Sequence, residues 1–215
     1  MKHITFYLDF ISPYAYLAFE RLPQALEGLS YEVDYRPLLF AGLLKHHGQL
    51  GPAEIPAKRD WTYRQVSWLG HQAGVPLQMP AVHPFNPLTL LRLAIACGEG
   101  GSANRHTCET IFRHVWNGGA DPNEDARLQA LRQQLAPARD IGSDGVKAEL
   151  KANTEQAIAR GAFGVPALLV DDRLFWGLDA LPMLRAYLEG DGWFTSGVWE
   201  SATQPVSGID RRAKG

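Results

Sequence analysis

Strand-like alternation occurs at the two ends of this chain, and nearly everything between them reads as helix. At the start, Ile4-Thr5-Phe6-Tyr7-Leu8 alternates and predicts a short strand. Ser12 follows as a good N-cap with Pro13 at the first helical position. The helix is expected from Pro13 to about Leu22, where Pro23 ends or kinks it, because an interior proline removes a hydrogen bond and clashes with the preceding turn. Leu22, Leu26 and Leu29 carry an apolar face past that point. Tyr31-Glu32-Val33-Asp34-Tyr35-Arg36 alternates again, which completes a βαβ unit with a right-handed crossover. At the far end, Pro166 precedes the apolar strand Ala167-Leu168-Leu169-Val170. Asp171-Asp172 makes a tight turn, and Arg173-Leu174-Phe175-Trp176 pairs back as a hairpin. Gly177-Leu178-Asp179 then turns into a closing helix over Ala180 to Glu189.

The middle has helix signals throughout. Leu38 to His46 is apolar with a cationic end, and Ala57 to Ala73 carries Trp61, Val66, Trp68 and Leu69 before a Gly74 stop. Val75 to Pro80 must be extended, since Pro76 and Pro80 exclude helix around them. A further helix starts at Asn86-Pro87 and ends by Gly98; Ser102 caps the next, which Gly118 ends. Asp121-Pro122-Asn123-Glu124 reads as a capping box, and Asp144 to Arg160 is a last amphipathic helix stopped by Gly161. The expected architecture is therefore α/β, with residues 1–37 and 161–190 forming the frame and an all-helical subdomain, 38–160, inserted into it. Residues 191–215, rich in Gly and Ser and ending Arg211-Arg212-Ala213-Lys214-Gly215, read as an irregular tail.

Composition narrows the function. A formal net charge of -2 and the absence of a membrane-length apolar run point away from nucleic acid and membrane partners. The first strand begins almost at once, without a signal-peptide pattern, so the cytoplasm is the expected location. Cys97 and Cys108, the only cysteines, form no C-x-x-C; they are expected to be reduced thiols, and no metal site is expected.

Ser12 is the candidate for chemistry. A strand feeding straight into a helix brings unpaired N–H groups and the positive end of the helix dipole to Ser12, a ready site for an anion such as a thiolate or carboxylate. Ser before Pro at a helix start is more often only a cap, so this feature needs a partner elsewhere in the chain.

The order of elements resembles a thioredoxin fold with a large helical insertion, the branch that includes the bacterial disulfide oxidases. In that fold a C-x-x-C stands at the first helix start and a cis-proline faces it. Here Ser12-Pro13-Tyr14-Ala15 replaces the cysteines, and Val165-Pro166 fits the cis-proline. Several blocks more closely resemble the 2-hydroxychromene-2-carboxylate isomerases, relatives of the kappa-class glutathione transferases. They are Asp9-Phe10-Ile11-Ser12-Pro13-Tyr14 with Tyr16-Leu17-Ala18, then Lys45, Pro56-Ala57-Lys58-Arg59, His83-Pro84 with Asn86, Phe163-Gly164-Val165-Pro166, and Phe175-Trp176-Gly177 with Asp179. The resemblance covers residues 3 to about 190.

That resemblance implies a glutathione cofactor, a small aromatic carboxylate substrate and a homodimer. It places the glutathione thiol at Ser12, whose hydroxyl is too weak an acid to compete as nucleophile yet can donate a hydrogen bond to a thiolate. Val165 would pair with the tripeptide backbone like an added strand. Trp176, Gly177, Leu178 and Asp179 would hold the γ-glutamyl end, and Lys45, Lys58, Arg59 and His83 would bind the substrate. The implied reaction is reversible addition of the thiolate to a conjugated enone, bond rotation, and release of the thiolate. Three departures bear on the substrate: Ala15 stands where many relatives carry a second serine, Leu178 stands where some carry a polar residue, and no Asn follows Gly48. A kappa-like transferase acting on another electrophile and a non-catalytic glutathione-binding protein remain as alternatives.

Overall fold

The computed structural model of the chain describes residues 1–204. Its centre is a four-stranded sheet in the order β2-β1-β3-β4. Strand β1 (Lys2–Leu8) runs parallel to β2 (Tyr31–Pro37), from Lys2 opposite Tyr31 to Leu8 opposite Pro37. On its other side β1 pairs antiparallel with β3 (Ala167–Val170), which pairs antiparallel with β4 (Arg173–Trp176). The hairpin turns at Asp171, which takes up a positive φ of 54°.

Alternation along these strands decides the two faces of the sheet. Ile4, Phe6 and Leu8 join Leu168, Val170 and Phe175 in the larger core. Tyr7 points the other way and meets Ala167, Leu169, Leu38 and Leu43 in a smaller one. Both faces of β1 are therefore covered, and each large apolar side chain buried there contributes about 1.5–3 kcal/mol. Helix α1 (Pro13–Ala25) covers the larger core with Tyr16, Leu17, Phe19 and Leu22. Helix α2 (Phe40–His47) covers the smaller core with Leu43.

Of the two outcomes open at Pro23, an end or a kink, helix α1 does not end there: it runs through Pro23 to Ala25, past the expected limit near Leu22. Pro23 has no N–H to offer the Phe19 carbonyl one turn back. Arg105 Nη1 donates to that carbonyl instead, at 3.4 Å, and its guanidinium lies over the Phe19 ring at 4.3 Å. The substitute donor comes from the insertion and cannot be seen locally.

The insertion contains α3 (Pro56–Ala73), α4 (Leu88–Ala96), α5 (Arg105–Trp116), α6 (Asp125–Leu135) and α7 (Asp144–Ala159). Gly74 ends α3 in the left-handed conformation, as expected. Two local expectations fail here. Ser102 does not cap α5; its hydroxyl donates to Asp34 on β2, and Asn104 caps the helix by accepting from Thr107 N at 2.8 Å. Asp121 spends its carboxylate on a tight turn to Asn123 N, 2.9 Å, so α6 starts at Asp125 without a side-chain cap. Of the large apolar residues of α3, Val66 and Leu69 face inward, whereas Trp61 and Trp68 are 63% and 57% exposed.

Helix α8 (Leu181–Glu189) closes the frame. Residues 191–204 are not irregular: a 3-10 turn at Gly192–Thr195 and the short α9 (Val198–Ser201) fold back on the sheet. Phe194 is buried against Phe175, Tyr187 and Trp199, and Arg173 Nη2 donates to its carbonyl at 2.9 Å. Three aromatic residues thus anchor a stretch whose glycines and serines dominate its sequence pattern. The basic end, Arg211 to Gly215, lies outside the described residues. No helix among the described residues is long and apolar enough to cross a membrane.

Candidate functional site

The site is built on the loop Asp9-Phe10-Ile11-Ser12, which joins β1 to α1. This loop is gripped by side chains at almost every polar backbone group. Asp9 is wholly buried, and its carboxylate accepts from Ile11 N at 3.1 Å and from Phe40 N, the first residue of α2, at 2.9 Å. Trp116 Nε1 donates to the Phe10 carbonyl at 3.0 Å, and His83 Nε2 lies 2.9 Å from the Ile11 carbonyl. Ser12 N donates to the Asp9 carbonyl at 3.1 Å. Burial pushes the Asp9 carboxyl up to about 7, against the downward pull of the N–H groups it accepts from.

Ser12 is the N-cap of α1 in extended conformation, φ -92° and ψ 115°. Its Oγ accepts from Ala15 N at 3.2 Å, and its hydroxyl donates to the Val165 carbonyl at 3.4 Å. The Val165-Pro166 bond is cis, so the two chain segments singled out in the sequence do meet. Pro13 has no N–H, and the Tyr14 N–H at this helix start has no partner among the described residues. The Val165 N–H likewise has none. The Tyr14 N–H is an open donor at the positive end of a helix, and the Val165 N–H is an open donor on the residue whose carbonyl the Ser12 hydroxyl meets.

Beyond Val165 the wall is aromatic. Trp176 is half exposed and packs on Phe163, ring centroids 4.7 Å apart. Gly164 is required beneath that indole, since a Cβ there would lie 2.5 Å from Trp176 Nε1. Gly177 takes φ 98° and donates to the Pro166 carbonyl at 3.0 Å, which ties the hairpin end to the cis-proline. Asp179 is exposed, with no ion pair among the described residues, whereas Leu178 is buried in the larger core. The Tyr14 phenol is raised chiefly by burial, with a smaller push from the Asp179 charge. Tyr14 OH donates to Gln65 Oε1 of α3 at 2.7 Å.

The cationic candidates divide. Lys45 is exposed in the last turn of α2 and Lys58 in the first turn of α3, neither with an ion pair among the described residues. Arg59 Nε lies 3.5 Å from Asp60 Oδ1, and its charge reaches the phenol of Tyr63. No described contact joins Lys45 or Lys58 to the Ser12 loop. His83 departs from its expected role as a substrate ligand. Its Nε2 faces the Ile11 carbonyl and its Nδ1 lies 2.7 Å from Tyr63 OH, so neither ring nitrogen is free for a substrate carboxylate.

Asp9, Tyr63, Gln65 and Trp116 are the contributors that sequence reasoning did not assign. For Asp9 a signal existed: a carboxylate directly after an apolar strand and three residues before Ser12. Cys97 and Cys108 lie on α4's end and α5, both free, and burial raises the thiol of Cys108 strongly. Among the described residues no group of three or more His, Cys, Asp and Glu side chains is arranged to hold a metal.

Comparison with known proteins supports the fold. The DSBA-like thioredoxin domain matches residues 3–189. A 2-hydroxychromene-2-carboxylate isomerase of Sphingobium xenophagum is 28% identical over 194 residues, covering 87% of this chain and 98% of the relative. Human glutathione S-transferase kappa 1 is 25% identical over 210 residues, covering 89% and 92%. Among solved structures, a 2-hydroxychromene-2-carboxylate isomerase superposes with TM-score 0.73 at 23% identity, covering 91% of this chain and 98% of that one. The cytosolic disulfide reductase DsbM of Pseudomonas aeruginosa, solved with GSH, superposes with TM-score 0.52 at 17% identity, covering 87% and 97%. These two structures share the fold.

Proposed function

This chain belongs to the DSBA-like thioredoxin domain family, and from that premise we propose that it is a glutathione-dependent isomerase interconverting 2-hydroxychromene-2-carboxylate and trans-o-hydroxybenzylidenepyruvate. The observation that carries the reading is the Ser12 hydroxyl, held between Ala15 N and the carbonyl before the cis-proline where the family's disulfide enzymes carry a cysteine. The relatives named as isomerases support it over most of the chain. The residues fit the tripeptide. The open Val165 N–H and its lightly held carbonyl suit an added strand, and exposed Asp179 suits an ammonium group.

Glutathione, when bound, supplies a thiolate that adds reversibly to the conjugated enone of the ring-opened substrate. Ser12 turns its proton from the Val165 carbonyl to that sulfur, and the Tyr14 N–H and the α1 dipole favour its charge. Lys45, Lys58 and Arg59 are the cations we propose for the substrate carboxylate, and Trp176 with Phe163 offers an apolar wall. We expect a homodimer working in the cytoplasm, where glutathione is reduced; sedimentation checks the first.

The test combines a titration of the glutathione thiol on the protein with product analysis. We expect the bound thiol to ionise at lower pH than the free one, Ser12→Ala to reverse this, and the isomer to form with all glutathione recovered. A stable thioether product would favour the second reading, a transferase, which the kappa relatives support. Full turnover by Ser12→Ala would defeat both.

A further inference from the structure

We infer that His83 and Tyr63 are a positioning pair for Ser12: His83 holds the Ile11 carbonyl, Tyr63 orients His83, and neither binds the aromatic substrate. The inference rests on the glutathione reading for its consequence, but its geometry stands without it.

The argument runs through one peptide plane. The carbonyl of Ile11 and the N–H of Ser12 belong to the same planar unit. His83 Nε2 holds the oxygen at 2.9 Å, and the Asp9 carbonyl holds the N–H at 3.1 Å. A plane held at both edges cannot rotate, so the Cα of Ser12 leaves it in one direction. That direction delivers Oγ to Ala15 N at 3.2 Å and to the cis-proline loop.

The proton pattern on His83 follows. A carbonyl only accepts, so Nε2 must carry a proton. Burial holds the imidazole below its ordinary pKa and therefore neutral, which leaves Nδ1 as an acceptor for the Tyr63 hydroxyl at 2.7 Å. The His83 ring is wedged between Phe85 and Trp116, centroids 6.2 and 5.6 Å away, and Trp116 holds the neighbouring Phe10 carbonyl. Tyr63 lies on α3, one turn beyond Arg59, so the pair ties the loop to α3.

Three readouts test this. On the free protein, nitrogen NMR should find His83 in the neutral Nε2–H form; the Nδ1–H form overturns the inference. Amide exchange at Ser12 should quicken about tenfold in His83→Leu, whereas His83→Gln, which keeps a donor near Nε2, should stay close to wild type. Unchanged exchange in His83→Leu overturns it. With glutathione bound, the ultraviolet absorbance of the thiolate should show the thiol pKa raised by about one unit in His83→Leu, a tenfold loss of thiolate at fixed pH, and restored in His83→Gln. If His83→Leu left the thiol unmoved and raised only KM for the aromatic carboxylate, His83 would be a substrate ligand and the inference would fail. If wild type bound no glutathione, the functional reading would fall, and the tautomer and the exchange rates would still decide the clasp. Should His83→Leu not fold, Tyr63→Phe takes its place: the Ile11 carbonyl should keep the Nε2–H form, while the ring, without its second anchor, should let Ser12 exchange quicken, and unchanged exchange overturns the inference.

Discussion

Replacing Asp9 by Asn should make the protein more stable at alkaline pH and less stable at acid pH. Asp9 is wholly enclosed, and its carboxyl is raised from 3.8 to about 7 by burial. A raised carboxyl pKa means that the folded state binds the proton more tightly than the unfolded state. Its stabilising contribution is complete below the unfolded value and is lost as pH rises to about 7. The shift corresponds to about 4 kcal/mol at 1.36 kcal/mol per unit, an order-of-magnitude figure. Asn removes this loss but brings one of its own. Its single oxygen can accept from Ile11 N or from Phe40 N, not from both, and the donor left facing the amide group costs about 1–3 kcal/mol. At pH 8 the variant should therefore gain roughly 1–3 kcal/mol over wild type, and at about pH 4, where wild type keeps nearly all of this contribution, it should be the weaker protein. Urea unfolding followed by circular dichroism at both pH values measures the difference. Other titrating groups are common to the two proteins and cancel. A variant less stable than wild type by the same amount at both pH values would refute the reasoning, because Asp9 would then be ionised throughout.

Trp116→Phe keeps a ring in the core but strips the buried Phe10 carbonyl of its donor, and urea unfolding should show a loss of about 1–2 kcal/mol. Gly164→Ala places a Cβ 2.5 Å from Trp176 Nε1, so it should displace the indole, shift tryptophan fluorescence and weaken glutathione binding measured by calorimetry; unchanged affinity would remove Trp176 from the cofactor wall. Burial keeps the Cys108 thiol raised and enclosed, so an aromatic disulfide reagent should label it only as fast as the protein unfolds, and rapid labelling of the native protein would contradict its placement.

Much of the frame was legible because its signals are local. Alternation in Ile4 to Leu8 and in Tyr31 to Arg36, the turn at Asp171-Asp172, and Ser12 before Pro13 each act over a few residues, and each appears as expected. The misreadings share the opposite property. Ser102 is as good a cap as Asn104 until Asp34, far back on β2, takes its hydroxyl. Pro23 breaks a helix unless Arg105 arrives to serve the abandoned carbonyl. His83 in a His-Pro turn could be a ligand or a strut, and only the Ile11 carbonyl across the fold decides for the strut.

The same distinction explains what the helical insertion does for the site. By covering the β1–α1 loop the insertion takes the Phe10 and Ile11 carbonyls away from water, and a carbonyl buried without a donor would cost about 1–3 kcal/mol. The insertion supplies both donors, Trp116 from α5 and His83 from the α3–α4 connection, while the α2 start supplies an N–H for the Asp9 carboxylate. The frame thus brings Ser12 and the cis-proline together, and the insertion removes the freedom that would let Ser12 miss its partners. Shape and satisfaction of buried polar groups come from different parts of the chain, so a change deep in the insertion, such as the loss of the Trp116 indole N–H, should act on Ser12 without touching it.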